Sequence, residues 1–188
     1  MSSNLLFKPT SIDGLIVIER KVVADNRGYF YRLFSKSDFE GIGLKKPLFH
    51  INFSHTNKIH SIRGLHFQNP PHTETKIVTC VKGEVFDVAV DLRKNSPTFL
   101  KWFGVNLSET NHLSLFIPDG FAHGFQVLQN DSELIYLHTE EYVKESESGL
   151  HVLDPMLGIR WPFEPKNLSD RDKGFAFLNN NFKGIDII

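Results

Sequence analysis

Lys76-Ile77-Val78-Thr79-Cys80-Val81-Lys82-Gly83-Glu84-Val85-Phe86-Asp87-Val88-Ala89-Val90 reads as a strand, a tight turn at Lys82-Gly83 and a second strand. β-Branched and apolar residues fill both runs, and a turn dipeptide separates them. In the second run Phe86, Val88 and Val90 fall on one apolar face, while Val85, Asp87 and Ala89 fall on the other. Asp87 is therefore either solvated or set inside a polar cavity. Downstream, His112 to Ile117 is a strand ended by Pro118-Asp119-Gly120, and Phe121 to Leu128 and Glu133 to Glu140 continue the pattern. Upstream, Gly14 to Val23 enters a strand pair whose turn is Asp25-Asn26-Arg27-Gly28. Ser37 to Ile42 fits a short helix with Ser35 or Ser37 as its cap. From Asp154 onward Pro155, Pro162 and Pro165 favour loop, with a helical turn near Ser169 to Lys173. Many short strands at regular spacing predict an all-β sandwich or barrel, and a jelly roll closes its edges while leaving a cavity between its sheets.

Composition limits what such a chain does. Its 188 residues fit one domain, 1–188, and are enough to bury a core. The 17 Phe residues tilt the chain further toward strands. A net charge of -1 provides no global field for nucleic acid or an anionic membrane, so a phosphate ligand must be met by a local cluster. The single cysteine, Cys80, lies in an apolar run and reads as core rather than nucleophile. The first residues lack the apolar stretch of a signal peptide, and no run of about 18 apolar residues occurs. The chain is expected in the cytoplasm.

Three clusters carry chemistry. The first is Arg63-Gly64-Leu65-His66-Phe67-Gln68-Asn69-Pro70-Pro71, followed by Lys76; simple alternation puts Arg63 with Leu65 and Gly64 with His66. The second, Phe121-Ala122-His123-Gly124-Phe125, fits a polar group in an aromatic-lined pocket. The third runs from Glu133 to Tyr142, with Tyr136 and Tyr142 on one face by parity. A lone His or a Tyr in an apolar context is more often structural than catalytic, so no cluster decides the function alone.

Their combination and order resemble the dTDP-4-dehydrorhamnose 3,5-epimerase family. Asp25-x-Arg27-Gly28-x-Phe30, Asn52-x-Ser54, Arg63 to Gln68, Pro70-Pro71, Gly83 to Arg93, Ser96-Pro97-Thr98, Ile117 to Phe125, Asp154-Pro155, Ile159-x-Trp161-Pro162 and Leu168-Ser169-x-x-Asp172 occur in the family's order, from about Gly14 to Asp172. The resemblance implies a cupin jelly roll with a core over about 14–172. It implies a homodimer that exchanges a strand, with Arg27 the candidate to reach a neighbour's site, and neither metal nor organic cofactor. The substrate would be a nucleotide-diphosphate 4-keto-6-deoxysugar, hexose or heptose, inverted at C3, C5 or both for surface-glycan precursors. By the same resemblance His66 is the general base, Asp172 its partner, Tyr136 the acid on the opposite sugar face and Lys76 the cation facing the enolate. Arg63 and Arg27 would meet the diphosphate. Asn52 and His123 would line the sugar pocket, and Tyr142 would stack near the base. Phe30, Arg32, His50 and Glu74 complete the substrate-facing set.

The chemistry suits these residue types. A proton beside a ketone is weakly acidic, so its removal needs a base of near-neutral pKa and a cation on the developing enolate oxygen. Four places depart from the family's pattern. Arg32 stands where Glu is usual and offers only donors, so the base is not thymine or is not read there. His50 and Glu74 each stand where Gln is common, and His60-Ser61-Ile62 replaces Gly-Val-Leu. Two further readings compete: a sugar-nucleotide binder without turnover, and a 3,4-ketoisomerase of the same fold. A metal-dependent cupin is disfavoured, because His55, His60, His66 and His72 form no His-x-His pair and His112 and His123 do not complete a ligand set.

Overall fold

The computed structural model describes residues 4–187. Thirteen strands and two short helices follow in order: β1 Leu5–Pro9, β2 Ile16–Arg20, β3 Val23–Asp25, β4 Gly28–Phe30, α1 Lys36–Gly41, β5 His50–Thr56, β6 Ile62–Gln68, β7 Lys76–Lys82, β8 Glu84–Asp91, β9 Trp102–Ser108, β10 Leu113–Ile117, β11 Phe121–Val127, β12 Ser132–His138, β13 Glu147–Gly149 and α2 Asp170–Lys173. A six-stranded sheet, β1-β2-β10-β7-β12-β5, packs on a five-stranded sheet, β13-β6-β11-β8-β9, and β3 and β4 form a separate hairpin. All pairings between these strands are antiparallel. This is the expected all-β jelly roll of cupin type. Among the described residues, no helix is long and apolar enough to cross a membrane.

Each sheet carries buried residues on both faces. Between the sheets lie Val78 and Cys80 of β7, Val85 and Ala89 of β8, and Leu115, Phe125 and Leu134. The opposite face of β8, with Val88 and Val90, packs under Leu150, Val152, Leu157 and Ile185 of the C-terminal tail. The outer face of the larger sheet, at Ile77, Phe116 and Leu137, is capped by Phe39 of α1 and by Leu44. Each such large side chain contributes about 1.5–3 kcal/mol by leaving water. Asp87 alternates with Val85 and Ala89, so it points between the sheets and is fully buried. Cys80 is core, and burial pushes its thiol up to about 12.

One strand departs from simple alternation. Opposite β11, His66 pairs with His123 and Arg63 pairs with Phe125, so two residues of β6 face one of β11. The extra residue is a β-bulge and flips the parity across it. Arg63 and His66 therefore line the same cavity, whereas alternation alone separates them. Leu65 instead joins the core beneath the tail. The bulge needs two glycines. A Cβ on Gly64 (φ +125°) would sit 2.5 Å from the Gly124 Cα, and one on Gly124 would sit 2.8 Å from the Arg63 carbonyl oxygen. No side chain fits between backbones at that separation.

Candidate active site

A cavity of about 320 Å³ opens between the sheets. The bulged strand β6 supplies His66 and the smaller sheet forms one wall. Asp172 reaches His66 from the tail. Its helix α2 starts at Ser169, whose Oγ accepts the Asp172 amide at 3.1 Å, the usual N-cap geometry. The pairing holds Asp172 Oδ1 2.7 Å from His66 Nε2, while Oδ2 accepts the Gly64 amide at 3.4 Å. Burial alone would raise the Asp172 pKa, but the His66 hydrogen bond and charge outweigh it and hold the carboxyl below its usual range. Among the described residues no protein group bonds His66 Nδ1.

The larger sheet forms the facing wall. Tyr136 of β12 shares a 3.0 Å hydrogen bond with Ser54 of β5. Burial raises its pKa strongly, so the phenol keeps its proton. Lys76 opens β7, and its ammonium lies 3.0 Å from Glu74 Oε1. The other Glu74 oxygen lies 2.7 Å from His138 Nδ1. Burial would raise Glu74, but Lys76 and His138 outweigh it and hold the carboxyl at about 2. This buried carboxylate keeps the lysine paired where an isolated ammonium would be costly.

His123 of β11 lines the cavity edge-on to Tyr136, with ring centroids 6.2 Å apart. Its Nε2 lies 2.8 Å from Asp87 Oδ1. Burial raises the Asp87 pKa against the opposing pull of His123 and Lys76, and Asp87 Oδ2 has no hydrogen-bond partner among the described residues. Arg63 at the cavity mouth donates to Thr56 Oγ1 at 2.9 Å and to the His55 carbonyl at 3.3 Å. Arg171 also lines the cavity. It pairs with Glu147 at 2.7 Å, and Glu147 accepts the Tyr142 hydroxyl at 3.0 Å.

The structure thus brings His66, Lys76, Asn52, Arg63, His123 and Tyr136 to one cavity, with Asp172 directly behind His66. An adjoining cavity of about 200 Å³ shares Asn52, His66 and Lys76 and adds His50, Glu74 and Tyr142. Tyr142 arrives by a different route from the one its parity suggests. Strand β12 ends at His138, so Tyr142 stands beyond it. Arg27 and Phe30 line a separate depression on the β3–β4 hairpin, and neither lines the main cavity of this chain. Arg32, just beyond the hairpin, gives its carbonyl to the buried Arg20 at 3.2 Å.

Sequence reasoning did not single out Ser54 beyond its motif, nor His138, Glu147 or Arg171. His138 was findable, because it sits two residues from Tyr136 on one strand face. Among the described residues no three His, Cys, Asp or Glu side chains are placed to hold a metal ion.

The jelly roll is of the cupin class, and its inter-sheet cavity collects a carboxylate-backed imidazole, a phenol and a buried ammonium, residue types suited to acid–base chemistry. The chain belongs to the dTDP-4-dehydrorhamnose 3,5-epimerase family, whose sequence profile matches residues 9–180. With that membership goes the enzyme class, an isomerase acting as a nucleotide-sugar epimerase. The chain is 46% identical over 175 residues to dTDP-4-dehydrorhamnose 3,5-epimerase of Shigella flexneri, covering 92% of this chain and 96% of that protein. It superposes with a TM-score of 0.89 and 42% identity, over 94% of each chain, on a 3,5-epimerase of Legionella pneumophila crystallised with dTDP-4-keto-L-rhamnose. A 3'-monoepimerase of Streptomyces bikiniensis in complex with dTDP-quinovose superposes with a TM-score of 0.84 and 31% identity, over 90% of this chain and 86% of that one.

Proposed function

We propose that the chain inverts C3, C5 or both of a nucleotide-diphosphate 4-keto-6-deoxysugar, with His66 as base and Tyr136 as acid. The observation that carries this reading is placement: the two groups stand on opposite sheets and line one cavity. In the working state Nε2–H is donated to Asp172 and the lone pair lies on Nδ1, which no protein group among the described residues bonds. That nitrogen takes the proton from the carbon beside the C4 ketone. The C–H electrons move into the ring C–C bond, and the carbonyl oxygen becomes an enolate stabilised by the Lys76 ammonium. Tyr136 returns a proton to the other face of the carbon, inverting it. Solvent then takes the proton from His66 and restores that of Tyr136. Asn52 and His123 line the sugar, Arg63 meets the diphosphate, and His50, Glu74 and Tyr142 line the adjoining space.

Lys76→Met is expected to lower turnover by about 10²–10³-fold, the usual cost of removing a preorganised oxyanion partner. Assays with dTDP-, CDP- and GDP-4-keto-6-deoxyhexoses test the whole reading through the configuration of the product. Inversion of any of them supports it and ranks the bases, whereas inversion of none contradicts it.

The working unit in this reading is a cytoplasmic homodimer whose β3–β4 hairpin carries Arg27 and Phe30 to the partner's cavity. Two features support it. The Arg27 side chain is 85% exposed and, among the described residues, pairs only with its neighbour Asp25. Strand β5 is a sheet edge that carries exposed Ile51 and Phe53, with exposed Phe49 just before it, an apolar strip of the kind proteins cover. Light scattering is expected to give the dimer mass; a stable, fully active monomer would contradict it.

A further inference from the structure

His66 Nε2 has two neighbours that it cannot serve at once. Asp172 Oδ1 lies 2.7 Å away and Arg171 Nη2 lies 2.9 Å away. A neutral imidazole nitrogen carries either one hydrogen or one lone pair. If Nε2 bears the hydrogen it donates to Asp172 and confronts the guanidinium with another donor. If Nε2 bears the lone pair it accepts from Arg171, and the proton sits on Nδ1. Only the first tautomer leaves Nδ1 free to act as a base.

Arg171 is not locked in place. It is half exposed and faces the cavity, and its fixed partner is Glu147, itself bonded to the Tyr142 hydroxyl. Its Nε lies 3.5 Å from Asp172 Oδ1, so it also competes with His66 for that carboxylate. Guanidinium groups bind phosphate oxygens in bidentate fashion, and a diphosphate entering beside Arg63 offers Arg171 a stronger partner than a neutral ring nitrogen.

We infer that Arg171 is a positioning residue that holds the base in check until substrate arrives. In the free protein its guanidinium occupies Nε2 and favours the tautomer with the proton on Nδ1. The substrate diphosphate draws the guanidinium away, solvent removes the proton from Nδ1 and delivers one to Nε2, and Nε2–H then donates to Asp172 and leaves the lone pair on Nδ1. Proton abstraction is thereby coupled to occupancy of the diphosphate site. A ligand acts this way only because it interacts differently with the two arrangements of Arg171. This rests on the reading above of His66 as base and of a nucleotide-diphosphate substrate.

The test is nitrogen-15 NMR of the full chain labelled at histidine, with the His66 ring signals assigned by their loss in His66→Asn. Spectra are taken free and with saturating dTDP, CDP, GDP or inorganic pyrophosphate. The expected result is Nδ1–H in the free protein, exchanged for Nε2–H on addition of at least one of these ligands. Arg171→Met should show Nε2–H with or without ligand. A purely structural role for Arg171 would not move the tautomer. The wild-type comparison stands even where that variant fails to fold. Ligand-induced shifts elsewhere with an unchanged His66 tautomer would overturn this inference alone, as would Nδ1–H persisting in Arg171→Met. No shift with any of the four ligands would overturn the nucleotide-diphosphate reading and this inference with it.

Discussion

His66→Asn is expected to lower turnover by about 10²–10⁴-fold, the usual contribution of a positioned general base, with KM changed far less. Asparagine keeps a donor for Asp172, which is 2% exposed and would otherwise lose its main side-chain partner. The buried carboxylate then avoids the about 1–3 kcal/mol that an unpaired group costs, and the thermal midpoint should stay close to wild type. Losing activity without losing stability separates a catalytic role from a structural one. Wild-type rates in a folded His66→Asn protein would remove His66 from the mechanism.

Tyr136→Phe has a different signature. The variant loses the hydroxyl that meets Ser54 at 3.0 Å but keeps the ring beside His123. Burial holds the Tyr136 pKa well above its ordinary value, so the wild-type residue is a proton donor across the working pH range. Without it, inversion is expected to fall by about 10²–10⁴-fold. His66 can still remove the proton, exchange it with solvent and return a deuteron to the same face. In heavy water the recovered substrate should therefore gain deuterium while keeping its configuration. Mass spectrometry and product NMR follow the two processes separately. Exchange and inversion falling together in the same proportion would mean that Tyr136 does not act as the opposite-face acid.

Much of this site was legible because period-2 patterning and motif order are local. The alternation across Glu84 to Val90 located β8, and the same parity left Asp87 either solvated or inside a cavity. Burial beside His123 settles that choice, since Asp87 and His123 stand on paired strands facing the same interior. What parity could not reveal was the bulge in β6. One extra residue opposite Gly124 puts Arg63 and His66 on the same wall, and only the cross-strand register shows it. Tyr142 was misplaced for a related reason, because the strand stops at His138 and parity loses meaning beyond its end.

Arg171 and Glu147 lie beyond any local signal. Arg171 meets His66 across 105 positions of chain and Glu147 across 24. Such a contact depends on how the irregular tail lies against β6, which no periodicity records. His60 is a smaller case. It stands where Gly is usual, adopts φ +67°, and stacks on Phe163 with centroids 4.2 Å apart. The hairpin residues Arg27 and Phe30 mark the limit of a single chain, since their expected contribution is to a neighbour's cavity.

The central claim is that this cavity removes and returns protons beside a ketone, and deuterium incorporation tests it most directly. Wild-type protein would be incubated in heavy water with 4-keto-6-deoxyhexoses on dTDP, CDP and GDP, and the products weighed. The account predicts one deuteron per inverted carbon, hence two for inversion at both C3 and C5. Products of unchanged mass with every nucleotide would contradict it and leave a cavity that binds a nucleotide sugar without turning it over.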